Sequence, residues 1–498
     1  MSSWKHIPST AFLRYGFIAI VAMRLVMVFT MGMMPQDAYY YYYSEHLSLS
    51  YFDHPPGVAL QLWLFTTLFG HHVWALKLSD FLVTCVTLFA LYRFAGEFLP
   101  ARRREIALYI LGSTLMFTNV SIVTTPDVLL LLMWTLALHA TYRALQSPQL
   151  WRWVIAGLIA GLTFDCKYTG LYIPVAFAGY LLMSKQHRRY LFSLRYAAYL
   201  AMFALAILPV VIWNVDNAFA SFQFQSGDRV SSIMEFNIRP QYFFGTVGLQ
   251  MLVLLPVLFT ALVVVSWKYL YQVWRRRRMP HSDNLFLLCF SVPLIAGFLA
   301  ISWIYWVKIN WMLPAYITGG ILAMRFLGPK AARWQMGIAF VFTLLLTLQI
   351  LFYFVPVQSD DTYWGWDQLA EQVSSLHEEY PESFFFAKDG YKTTAVLNFY
   401  VDTKVYAANI VGEPALEYSI RDHDLSGLEG RDALFLDSRN MPSHFNETYE
   451  IPEELNGYFD HIGFLKMITL SDGRGRPLRQ FAVVQCTAYH PPPDPLKK

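Results

Sequence analysis

The chain predicts a multi-pass α-helical membrane protein with about eleven spans and a small C-terminal α/β domain outside the membrane. Three observations predict it. Hydrophobic residues make up 56% of the 498 residues and charged ones only 15%, against roughly 25% charged in soluble proteins. Apolar runs long enough to cross a bilayer recur from residue 12 to 357. After about residue 358 the composition turns to acids, Gly and Pro. Together these exclude an ordinary soluble enzyme, a disordered chain, a coiled coil and a disulfide-stapled scaffold. The net charge of +3, with basic residues in short loops between apolar runs, argues against a nucleic-acid partner.

A spanning helix needs about 20 mostly apolar residues. The runs are 12–34, 73–95, 105–123, 128–145, 151–164, 168–183, 191–213, 242–266, 284–305, 310–327 and 334–357. The first lacks a small-residue cleavage pattern after it and reads as an uncleaved span. The pair at 151–183 is short and suggests one broken helix plus a re-entrant piece. The stretch 56–70 is too short to span and is expected to lie along the interface. This divides the chain into a membrane domain, 1–357, with a first outer loop at 35–72, and a soluble α/β domain, 358–498.

Lys and Arg in short loops set the orientation. With the N-terminus inside, alternation puts Arg102–Arg104, Lys185–Arg189, Arg275–Arg278 and Lys330–Arg333 all on the cytoplasmic side. The opposite face then collects Asp37, Asp53, His54, Asp127, Asp165, Lys167, Asp216, Asp228, Arg229, Glu235, Arg239 and Lys308. Ionisable groups at the mouths of spans are costly and mark function.

In the tail, SFFFAKDGYKTTAVLNFYV reads as strand, turn, and helix or strand. DALFLDS reads as a buried strand, and LKMITLSDGRGRPLRQFAVVQC as a hairpin turning at DGRG. Asn446-Glu-Thr is a formal glycosylation sequon, expected by chance. The four cysteines, Cys85, Cys166, Cys289 and Cys486, have no metal spacing and read as small buried hydrophobes.

The first outer loop, PQDAYYYYYSEHLSLSYFDHPPG, is the richest stretch. Asp37 follows the first span directly. Several of Tyr39–Tyr43 are expected in an interfacial aromatic belt. Pro55-Pro56 stiffens the backbone at Asp53 and His54. In TTPDVLL, Pro126 opens a helix with Asp127 in its first turn. FDCKYTG places Lys167 before a helix start, a combination that suits an anion. WNVDNAFASFQFQSGDRV offers Gln225, Asp228 and Arg229 to a sugar or phosphate, and WVKINW offers Lys308 and Asn310. The set describes an outward cavity. Its acids suit activation of a hydroxyl, its cations a phosphate, and its rings a sugar or isoprenoid. Asp53 and His54 could also help hold a divalent cation.

At these residues the chain resembles the C-type glycosyltransferases related to protein O-mannosyltransferases and the lipid A aminoarabinose transferase. The resemblance rests on DAYYYYYSEHLSLSYFDHPPGVA, then T-P-D at 125–127, K-Y-T-G at 167–170, the W-N…F-Q loop at 213–225 and K-I-N-W at 308–311, in that order. It implies transfer of a sugar from a polyprenyl-phosphate donor, with inversion and without a nucleotide, on the outer side of the bacterial inner membrane. The acceptor it implies is lipid A or another envelope glycan, or alternatively a protein hydroxyl. It also implies roles. Asp37 and Asp127 are the candidate catalytic acids. Asp53, His54, Lys167 and Arg229 would hold the donor phosphate, with a metal at Asp53 and His54. Tyr39, Tyr40, Gln225, Lys308 and Asn310 would contact substrate. Many relatives carry Asp-Glu where this chain has Gln36-Asp37, which leaves the base open between Asp37 and Asp127. Aminoarabinose enzymes usually carry Glu-Lys where this chain has Asp53-His54, so aminoarabinose is not the expected sugar. A transporter would instead place its charges near the midplane, with inverted repeats. A non-catalytic assembly subunit would tolerate Ala at both acids.

Overall fold

The computed structural model describes residues 10–228, 237–440 and 449–492. Arg229, Glu235 and Asn446 therefore lie outside the described residues. Among the described residues, six helices are long and apolar enough to cross a membrane: Thr10–Thr30, Val73–Ala95, Pro126–Leu145, Pro256–Arg276, Ser282–Ile301 and Pro329–Phe352. A seventh forms if Leu194–Ala206 and Leu208–Asp216, bent by 44°, count as one span. Gly57–Phe69, Tyr168–Met183 and Leu313–Met324 are apolar but shorter.

Fewer helices than the expected eleven reach this length, because several of the apolar runs are interrupted or short, and three of the interruptions have a visible cause. The run 105–123 becomes Ala101–Gly112 and Leu115–Asn119. Arg24, fully buried, fills the gap by donating to the Thr114 carbonyl at 3.1 Å and to Thr118 Oγ1 at 2.9 Å. The run 242–266 becomes Pro240–Leu254 and Pro256–Arg276, separated by Leu255 at φ +65°. Pro256 has no N–H to continue the first helix. Gln335 repairs this junction by donating to the Leu254 carbonyl at 2.8 Å and accepting from the Leu258 N–H at 3.1 Å. Pro209, in the first turn after Ile207, accounts for the bend in the seventh span.

Close helix packing rests on glycine where backbones touch. A Cβ on Gly157 would lie 2.1 Å from the Tyr199 carbonyl oxygen, and one on Gly161 would lie 2.4 Å from Ala206 Cβ. Small residues of this kind let membrane helices approach closely.

The basic loops gather at one end of the bundle, as the alternation requires. Arg103 donates to the Arg325 carbonyl at 2.6 Å, Arg325 to the Phe98 carbonyl at 3.0 Å, and Tyr142 to Asp283 at 2.9 Å. The C-terminal domain caps the other end. Its mixed sheet comprises β1 (Phe384–Ala387), β2 (Val405–Tyr406), β3 (Ala433–Asn440), β4 (Phe459–Ser471) and β5 (Pro477–Tyr489), in the order β2-β1-β3-β5-β4. β1 runs parallel to β2 and β3, whereas β5 is antiparallel to β3 and β4. The expected hairpin is β4–β5. Its turn is held by Asp472 Oδ1, which accepts from the Arg474 and Arg476 N–H groups at 2.9 and 2.8 Å. Lys392–Tyr400 follows β1 as a helix.

The tyrosine run corrects an expectation. Pro35–Glu45 is a helix, and Tyr39–Tyr43 are all buried beneath the C-terminal domain rather than placed in an interfacial belt. Tyr39 packs on Tyr391 with centroids 4.4 Å apart, Tyr42 on Tyr418 at 4.5 Å, and Tyr41 on Phe399 at 5.1 Å. Five consecutive rings around one helix exceed a single face, so a second body of protein must cover them.

Candidate active site

Between the helix mouths and the C-terminal domain lies a cavity of about 740 Å³. Gln36, Tyr40, His54, Lys167, Gln225, Lys308 and Asn310 line it from the membrane domain, and Asp361 and Tyr391 from the C-terminal domain. Segments far apart in sequence thus converge as the motifs suggested.

Asp127 sits in the first turn of Pro126–Leu145, where the helix N-terminus favours an anion. Lys167 lies just past Leu150–Cys166 and places its ammonium 2.8 Å from each Asp127 oxygen. Asn310 Nδ2 adds a third hydrogen bond at 2.5 Å. Asp127 is only 1% exposed, behind Lys167 and Asn310, which face the cavity.

Asp37 lies deeper still, at 0% exposure. Its Oδ2 accepts from Lys77 Nζ at 2.6 Å and from the Met34 N–H at 2.8 Å. Its Oδ1 accepts from the Thr124 N–H at 2.8 Å. Lys77 also donates to the Ile122 carbonyl at 2.8 Å. Asp80 continues the network, accepting from Thr124 Oγ1 at 2.6 Å and from Gln61 at 2.9 Å. Asp37 thereby ties the first outer helix to the segment leading into Asp127. Sequence reasoning missed Lys77 and Asp80. Their signal was two charges, i and i+3, on one face of an otherwise apolar span.

The third cluster surrounds Asp53. Tyr39 donates to Asp53 Oδ1 at 3.1 Å, and Tyr43 donates to the same oxygen. His54 Nε2 stands 3.8 Å from Asp53 Oδ2. Gln225 Nε2 donates to the Asp53 carbonyl at 2.7 Å, and the Tyr51 N–H closes a turn onto the His54 carbonyl at 3.1 Å. Tyr39 is buried behind the wall, whereas Tyr40 and His54 face the cavity.

The C-terminal domain holds this turn through Glu417, a residue the sequence did not single out. Its Oε2 accepts the Phe52 N–H at 2.8 Å, and Arg421 Nε lies 3.0 Å from its Oε1. Burial outweighs both partners and pushes the Glu417 carboxyl up to about 7.

Asp53 and His54 do not fit a metal held by protein alone. Two tyrosine hydroxyls already occupy one Asp53 oxygen. Among the described residues, no three His, Cys, Asp or Glu side chains converge on one point, and catalytic zinc commonly has three protein ligands.

The sequence profile described as dolichyl-phosphate-mannose-protein mannosyltransferase matches residues 53–213. Lipid A galacturonosyltransferase RgtD of Rhizobium johnstonii is 26% identical over 329 residues, covering 64% of this chain and 66%, just under two thirds, of that protein. Cupriavidus metallidurans ArnT bound to undecaprenyl phosphate shares the fold at TM-score 0.59 and 15% identity, over 96% of this chain and 98% of that one. The oligosaccharyltransferase of Archaeoglobus fulgidus matches at TM-score 0.50 and 13% identity, over 82% of this chain and 66% of its own. This is a multi-pass membrane protein with the fold of ArnT, similar over residues 53–213 to the dolichyl-phosphate-mannose-protein mannosyltransferase family and over 329 residues to a lipid A galacturonosyltransferase.

Proposed function

We propose that this chain is an inverting glycosyltransferase of the bacterial inner membrane. It moves a sugar from polyprenyl phosphate to lipid A or another envelope glycan, with its cavity and C-terminal domain on the extracytoplasmic side. The observation that carries this reading is the cavity in which Lys167 and Lys308 stand beside the Asp127–Asn310 cluster. The named relative RgtD supports lipid A as acceptor.

In the reaction, an acceptor hydroxyl oxygen attacks the anomeric carbon. The bond from that carbon to the phosphate oxygen breaks, and its electron pair leaves with polyprenyl phosphate. Lys167 and Lys308 stabilise the charge that grows on this phosphate. With donor bound, the Lys167 ammonium is shared between the phosphate and Asp127. That sharing releases a lone pair on Asp127 to take the hydroxyl proton, so Asp127 is the base. Asp37, with both oxygens occupied, positions the segment before Asp127. Asp53, His54 and Gln225 shape the donor side, with Tyr40 and Asn310 near the sugar.

The profile match over 53–213 favours a protein hydroxyl as the second acceptor class. The test is transfer in proteoliposomes from a panel of polyprenyl-phosphate sugars, galacturonate among them, to lipid A or to a Ser/Thr-rich peptide. Asp127→Asn is expected to bind donor but lose transfer to lipid A. Transfer that survives in Asp127→Asn would remove it as the base. Transfer to the peptide alone would exchange the acceptor, and no transfer from any donor would overturn the reading.

A further inference from the structure

A second cavity, of about 470 Å³, opens at the opposite, basic end of the bundle. That volume falls within the roughly 300–1,000 Å³ typical of small-molecule sites. Its rim carries Arg93, Arg104 and Arg143, set against one carboxylate, Glu97. Four helices contribute to it: Val73–Ala95, Ala101–Gly112, Pro126–Leu145 and Leu150–Cys166. Neither the transfer reaction nor the motif reading uses any of these residues.

One carboxylate does not neutralise the three arginines of the crevice. Glu97 accepts from His139 at 3.1 Å and from Arg143 at 3.4 Å, so its charge is already shared. Arg93 makes no side-chain hydrogen bond or ion pair among the described residues. Arg104 stacks on Tyr92 at 4.2 Å and donates to its hydroxyl at 2.8 Å, while its Nε is buried without an acceptor. Buried donors are normally satisfied, so an orphan at a cavity wall marks where an acceptor oxygen fits. Guanidinium groups match phosphate oxygens in planar, paired geometry.

One face of Pro126–Leu145 gives the crevice its direction. Arg143 lies at the helix end, with Ala140 and Leu136 at i−3 and i−7 progressively deeper, and Ile159 lines the crevice from the neighbouring helix. A cationic rim above an apolar wall suits a charged headgroup joined to an acyl chain and suits a free anion poorly. The cytoplasmic leaflet, where the basic loops lie, is rich in anionic lipid.

We propose that this crevice binds the phosphodiester headgroup of an anionic phospholipid, with Arg93, Arg104 and Arg143 on the phosphate and an acyl chain along Leu136 and Ile159.

The test uses the full chain, purified into phosphatidylcholine nanodiscs, with phosphatidylglycerol titrated in. Lipid retained on the protein is counted by native mass spectrometry, and the midpoint of thermal inactivation is followed. Arg93→Gln/Arg143→Gln is expected to need at least tenfold more phosphatidylglycerol for equal retention and midpoint gain. The control pair Arg275→Gln/Arg276→Gln, exposed on the same face, is expected to behave as wild type. Glu97→Gln, which removes the one acid, is expected to retain the lipid at least as tightly as wild type. The proposal is overturned if both Arg pairs lose retention equally, which would show a diffuse surface field, or if Glu97→Gln loses it. It is also overturned if millimolar inorganic phosphate alone gives the same stabilisation.

Discussion

Replacing Lys167 with Met keeps most of the length of the side chain and removes its charge. The structure sets the cost. The ammonium lies 2.8 Å from both oxygens of Asp127, and Asp127 is 1% exposed, so after substitution the carboxylate keeps only Asn310 as partner. Removing one member of a buried ion pair costs about 3–5 kcal/mol, mostly from the stranded charge. Lys167→Met is therefore expected to lower the thermal-inactivation midpoint in detergent well below that of wild type. The double variant Lys167→Met/Asp127→Asn strands no charge and is expected to recover to within about 1–2 kcal/mol of wild type. Single-turnover transfer separates stability from chemistry. The double variant has neither base nor phosphate cation and is expected to stay down by roughly 10²–10⁴-fold. Wild-type stability in Lys167→Met would refute the buried pair. Recovery of transfer with stability in the double variant would show that the pair only supports the fold.

Tyr43→Phe removes the hydroxyl that donates to Asp53 and lies 2.9 Å from the Tyr39 hydroxyl. It is expected to cost about 1–3 kcal/mol and to weaken donor binding, read by isothermal titration with polyprenyl phosphate. Burial holds the Glu417 carboxyl at about 7 against an ordinary 4.5. The folded chain thus binds this proton more tightly than the unfolded one, and the contribution to stability is full below pH 4.5 and lost as pH rises through about 7. Thermal inactivation scanned across that window is expected to show this slope in wild type and a flatter profile in Glu417→Gln. Gly157→Ala places a methyl against the Tyr199 carbonyl and is expected to destabilise by about 1–3 kcal/mol. Gly179→Ala, with nothing within 4 Å, is expected to be neutral in the same thermal assay.

Much of the site was legible because its residues break local rules. Asp127 and Lys167 are charges at helix mouths, and Pro55-Pro56 stiffens a loop rich in polar groups. The spans at 73–95 and 128–145 were legible from apolar length alone. The interrupted spans were not. Arg24 and Gln335 satisfy backbone at breaks that a hydropathy window averages away, and the residues they serve are distant in sequence. Lys77 and Asp80 were hidden for the same reason, since an apolar run masks two charges whose partners come from other segments.

By itself, the sequence determined that this chain is a multi-pass membrane protein whose last segment changes composition to acids, Gly and Pro. Apolar length, basic loops and turn chemistry are local properties, and each acts within a few residues. Only the tertiary structure decided which acid lies beside the cavity, what covers the five tyrosines and that Glu417 holds the Asp53 turn. Those outcomes depend on which buried charge meets which partner. In a low-dielectric interior that choice is worth several kcal/mol and is made by groups hundreds of residues apart, 365 in the case of Phe52 and Glu417.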